Sequence, residues 1–142
     1  MSVTLSPAAL DLLASSRLAH LVTINADGSP QISGVWVKAD AGGEIVFASL
    51  GARQKLANIT RDPRVALSIE TDHVNDHGLL EYLVVHGHAT ITEGGAADLL
   101  HDLAHTYLGP DVRFPPMDDP PAGYIAHIAI DRVGGIGDWT TD

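Results

Sequence analysis

The chain has 142 residues, no cysteine, and 8 Lys and Arg against 18 Asp and Glu, for a formal charge of −10. That length suits a single domain, residues 1–142, with its own core, and the acid excess argues against nucleic acid as a partner. The lack of cysteine excludes disulfides, thiolate zinc sites and a cysteine nucleophile, so any redox step needs a bound cofactor.

Ser6-Pro7 predicts a helix start, with Ser6 as cap and Leu10, Leu13 and Ala14 on one face. Arg17 to Ala26 reads as a strand, and Asp27-Gly28 as a tight turn. Gln31 to Lys38 is the antiparallel return, and Glu44 to Leu50 a third strand after Ala41-Gly42-Gly43. Arg53 to Thr60 reads as one or two helical turns, stopped by Pro63. Arg64 to Glu70 is a fourth strand, followed by a polar, irregular Thr71 to Gly78. Leu80 to Thr92 is a long fifth strand in which Gly87 marks a bulge or bend. Glu93 to Leu108 is helical, with Ala97, Leu100, Leu103, Ala104 and Leu108 at helical spacing. A proline-rich loop leads to a sixth strand, Tyr124 to Val133, and the tail "GGIGDWTTD".

The sum is a mainly β fold of six antiparallel strands with peripheral helices. The strand around Leu18 to Ile24 is apolar on both faces, as in a closed barrel covered outside by helices or a second subunit. No apolar run approaches the ~18 residues of a membrane span. Residues 1–20 also lack the basic-then-apolar pattern of a signal peptide. A cytoplasmic protein with no membrane partner is the expectation.

Four of the eight basic residues, Arg53, Lys55, Arg61 and Arg64, fall within residues 51–64. Arg53 and Lys55, two apart in a turn or first helical turn, can reach one anion. The free N–H groups of a helix N-terminus would add to the attraction. Surface ion pairs, worth ~0–1 kcal/mol each, are the alternative. Arg61 and Arg64 flank Asp62-Pro63 and read as structural. Gln31 and Ser33 share one strand face, with Trp36 on the other. His101 and His105 stand at i and i+4, and His86 and His88 share a strand face. No third ligand is placed by sequence, so no metal is expected. No nucleophile–base constellation or GxSxG motif is present.

Two motifs, "LAHLVTINADGSPQISGVWV" and "ASLGARQKLANITRDPRVAL", in this order of elements, resemble the split β-barrel flavin and deazaflavin oxidoreductases of the pyridoxamine 5'-phosphate oxidase superfamily. The likeness covers nearly the whole chain and is greatest to the branch that uses reduced coenzyme F420, a 5-deazaflavin. It implies a six-stranded split barrel that forms a homodimer with cofactor sites at the interface. The implied activity is hydride transfer from reduced F420 to a small unsaturated or quinone-like acceptor. The alternatives are an FMN-dependent oxidase or reductase, or a non-catalytic carrier of haem or of the cofactor. By resemblance, Arg53 and Lys55 bind the cofactor phosphate, with Asn58 in support. Gln31, Ser33 and the backbone of Ala48, Ser49 and Leu50 would meet the ring or its polar edge. Gly34 stands where some relatives have Asn. Tyr82 would reach the neighbour's cofactor, and Trp139 would close over a site or anchor the tail. No catalytic side chain is assigned, and the cofactor carries the hydride.

Overall fold

A computed structural model describes residues 3–141. The order is α1 (Pro7–Leu13), β1 (Ala19–Ile24), β2 (Pro30–Val35), β3 (Lys38–Ala39), β4 (Ile45–Ser49), α2 (Gln54–Arg61), β5 (Arg64–Val74), β6 (Leu80–Glu93), α3 (Ala96–Tyr107) and β7 (Tyr124–Ile136). All strand pairs are antiparallel, in the order β2-β1-β5-β6-β7-β4-β3.

The two ends of that sheet, β2 and β3, are separated in the chain only by Trp36 and Val37. The sheet therefore closes on itself. This corrects the strand count from six to seven. The expected strand Gln31 to Lys38 leaves β1 after Val35 and joins β4 at Lys38, which pairs with Val46. At the break the Val37 N–H has left both ladders. It donates instead to the Tyr107 hydroxyl of α3 at 3.2 Å, so no buried donor is orphaned. Because β3 pairs only with Val46 and Ile45, Phe47 to Ser49 have β7 on one side and no strand on the other.

Three hairpins share one turn. Asn25, Asp40 and Asn75 each donate an N–H to the carbonyl four residues on and accept from the glycine three residues on. Gly28, Gly43 and Gly78 there have φ of 81–86°, a region glycine enters without a Cβ penalty. The third of these turns corrects Thr71 to Gly78. β5 runs on to Val74, and only residues 75–79 form the turn. The expected irregularity at Gly87 is present as a register shift against β7. A Cβ at this glycine would collide with the Ala129 carbonyl.

Ser6 caps α1 as expected, accepting from Ala9 N at 3.1 Å. The buried face is Ala9, Leu12 and Leu13 rather than Leu10, Leu13 and Ala14. In α3 it is Ala96, Leu99, Leu103 and Ala104, while Leu108 is exposed. Both helices carry Ala and Leu on more than one face, so spacing alone leaves the rotation open. The strand β6 runs to Glu93, and Gly94-Gly95 turn the chain into α3. The barrel interior holds Leu21, Phe47, Leu67, Ile69, Leu83 and Ile128, and α2 contributes Leu56 and Ile59 to it. A second apolar layer lies outside the barrel, where Leu99 and Leu103 of α3 cover Val46.

Candidate functional site

The departure of β2 from β4 opens a cleft of about 230 Å³, lined by Gly34, Val35, Trp36, Ala48, Lys55, Leu100 and Phe114. Its aromatic wall is assembled from three separate elements. Trp36 stacks on Tyr107 at 5.5 Å between centroids, and Phe114 meets Trp36 edge-on at 5.2 Å.

At the rim of this cleft α2 begins. Arg53 is its N-cap and supplies no side-chain cap, so the first backbone N–H groups stay open. Arg53 is exposed and Lys55 half-buried. Burial, then the neighbouring Arg53 charge, holds the Lys55 ammonium below the usual lysine range. Among the described residues neither cation has a carboxylate within 4.0 Å. Arg17, Lys38, Arg64 and Arg113 each have one, while Arg61 and Arg132 also lack one. Two unpaired cations beside an uncapped helix end fit an organic phosphate.

Asn58 lies one turn further along α2 and is fully buried. Its Nδ2 lies 3.0 Å from Thr23 Oγ1, 2.9 Å from Asn25 Oδ1 and 3.0 Å from Gln31 Oε1. Its Oδ1 accepts from Gln54 Nε2 at 2.8 Å and from Arg61 at 3.1 Å. The side chain thus fastens α2 to the β1–β2 hairpin and has no group left to offer a ligand. It also fixes the Gln31 amide with its oxygen toward Asn58, and the Gln31 Nε2 makes no hydrogen bond among the described residues. Arg61 donates to the Ile24 carbonyl, and Arg64 forms a two-point pair with Asp62 at 3.0 and 2.7 Å, in keeping with structural roles.

The remaining expected site residues fall into four groups. Ala48 and Lys55 line the cleft, with Arg53 beside them at the start of α2. Gln31 and Ser33 pair with Thr23 and Leu21 and share their parity, which is opposite to that of Gly34 and Trp36. Ser49 is buried, its Oγ donating to the Gly51 carbonyl at 2.7 Å. The backbone of Gly123 packs directly on Ser49 and Leu50. Tyr82 and Trp139 are brought to each other and not to the cleft: the buried Trp139 donates Nε1–H to the Tyr82 carbonyl at 2.9 Å. Tyr82 pairs with Glu70 near the start of β6 and is not among the residues that line the cleft.

Sequence reasoning missed Trp36, Leu100 and Phe114 as cleft residues, and Tyr107 as the ring that backs Trp36. The chain has two Trp, three Tyr and two Phe, and this scarcity was the available signal. Their convergence depends on the path of the proline-rich loop.

Residues 5–134 match the family model for pyridoxamine 5'-phosphate oxidase. The chain belongs to the pyridoxamine 5'-phosphate oxidase family. No curated protein matches it. Among solved structures, an F420 reductase is 25% identical with a TM-score of 0.69, over 91% of this chain and 98% of that one. A conserved hypothetical protein, Rv2991 from Mycobacterium tuberculosis, is 26% identical with a TM-score of 0.71, over 98% and 87%. HupZ of Group A Streptococcus, 18% identical with a TM-score of 0.65 over 96% and 98%, shares the fold. In this family member, no described helix is long and apolar enough to cross a membrane.

Proposed function

We propose that this family member is an oxidoreductase that uses reduced coenzyme F420 to reduce a small, flat unsaturated or quinone-like acceptor. The observation that carries this reading is the unpaired Arg53–Lys55 pair at the open end of α2, on the rim of a cleft with aromatic walls. The likeness to an F420 reductase supports the choice of deazaflavin.

Arg53, Lys55 and the open N–H groups of α2 would hold the cofactor phosphate. Bound beside the cleft, a reduced deazaflavin supplies a hydride. The unpaired edge of Phe47 to Ser49 offers polar backbone groups to its ring edge. Trp36, Leu100 and Phe114 keep water from the acceptor and favour a planar, apolar one. The reading includes a homodimer. Leu18, just before β1, and Ile32 on β2, 48% and 67% exposed, suit burial against a second copy. Tyr82, which does not line its own cleft, would reach the cofactor of such a partner.

The test is titration of the purified protein with F420 and with FMN. F420 binds at micromolar concentration or tighter. Arg53→Ala with Lys55→Ala removes two charge-assisted contacts and weakens binding by about 100-fold or more, with the far-UV spectrum unchanged. Full affinity in the double variant refutes the phosphate assignment. Tighter binding of FMN moves the cofactor choice, and binding without turnover over enones and quinones makes the protein a carrier.

A further inference from the structure

We propose that Asp40, Glu44 and His127 bind a divalent cation of the zinc class, which ties the β3–β4 hairpin to β7. Each of the three half-buried side chains offers one ligand atom, and these atoms all lie within 4.8 Å of one another. Asp40 and Glu44 are the two ends of the shared five-residue turn. Asp40 Oδ1 accepts from Gly42 N and Glu44 N, both at 2.9 Å, which fixes that carboxylate and leaves its second oxygen. His127 arrives from the neighbouring strand, where it pairs with Val46.

A contact outside the cluster sets the imidazole. Thr92 Oγ1 lies 3.0 Å from His127 Nε2 and 3.5 Å from the Ile125 carbonyl. A hydroxyl whose proton points at that carbonyl accepts from Nε2–H. That leaves Nδ1 unprotonated, its lone pair on the side of Glu44. Nδ1 and Glu44 Oε1 are 4.0 Å apart, too far for a hydrogen bond. Ligand bonds of about 2.0–2.2 Å place neighbouring donors roughly 3.3–3.6 Å apart, so side-chain adjustments of up to about 1.5 Å seat an ion between them. Among the described residues no lysine or arginine lies within 4.0 Å of either carboxylate, and the nearby Lys38 pairs with Asp102. Imidazole with two carboxylates suits zinc better than magnesium or calcium, which prefer all-oxygen sites. Zinc carries no redox chemistry, so the ion would reinforce barrel closure where β3 has only two paired residues.

The test is calorimetric titration of EDTA-stripped protein with zinc chloride, with thermal melts alongside. One zinc binds, and Tm rises by about 5 °C or more at 100 times the dissociation constant. His127→Ala and Glu44→Gln each weaken binding by about tenfold or more with the far-UV spectrum unchanged. Thr92→Val weakens it by roughly tenfold through loss of ring orientation. Substitution of the exposed His101–His105 pair by alanine leaves this site intact. The proposal is overturned by absence of zinc binding, by undiminished affinity in Glu44→Gln, or by loss of binding with the His101–His105 pair. It also falls if zinc leaves Tm unchanged.

Discussion

Replacing Asn58 by alanine tests whether one buried amide holds α2 in place. The substitution removes the partner of five groups at once. Gln54 and Arg61 are exposed and return to water at little cost, and Asn25 and Gln31 are half-buried and rehydrate in part. Thr23, 1% exposed, cannot. An orphaned buried hydroxyl costs about 1–3 kcal/mol. Adding roughly 0.5 kcal/mol for each half-buried partner gives about 2–4 kcal/mol in all. Urea unfolding followed by tryptophan fluorescence should show that loss with an unchanged m-value. A double-mutant cycle with Gln31→Ala should return a coupling of about 0.5–1.5 kcal/mol. A loss under about 1 kcal/mol would refute the hub reasoning, because it would mean that water enters behind α2 and satisfies Thr23.

Tyr107→Phe removes the hydroxyl that receives Val37 N–H at the sheet closure, and should cost about 1–2 kcal/mol in urea unfolding. In the parent the Tyr107 phenol ionises above its ordinary range, chiefly because burial disfavours the phenolate, and a spectrophotometric alkaline titration reads this. Asp62 is held down to about 2, chiefly by the Arg64 side-chain hydrogen bond. A depressed folded value means that its stabilisation is present above the ordinary carboxylate range and is lost as pH falls through about 2. Carboxyl NMR should find that titration, and Arg64→Ala should return it toward the ordinary value. Anion binding should raise the Lys55 ammonium back toward the lysine range, read by NMR with and without cofactor, since the shift from burial and Arg53 is then offset. Gly87→Ala should destabilise by more than about 2 kcal/mol, because the new methyl meets the fixed backbone of Ala129.

Local signals were legible wherever the chain itself supplies the partner. Ser6 caps its own helix, the Asn/Asp-to-Gly turns close on themselves, and Arg64 pairs with Asp62 two residues away. The clustering of Arg53 and Lys55 was equally visible. Burial of Asn58 was not, since its partners lie 27 to 35 residues away and an asparagine on a short helix reads as polar surface. Helix rotation was misjudged in α1 and α3, where leucines and alanines occur on several faces and only the packed neighbour selects one.

The residue pattern by itself determined the alternation of strand and helix, two of the three tight turns and the one place where positive charge accumulates. All of these depend on interactions within a few residues. Only the folded molecule decided that one expected strand is two, joined at the ends of a closing sheet, because a strand's change of partner leaves no mark in its own alternation. The same break exposes the β4 edge and opens the cleft, so the site's shape follows from closure, while the cations on its rim were written in the chain.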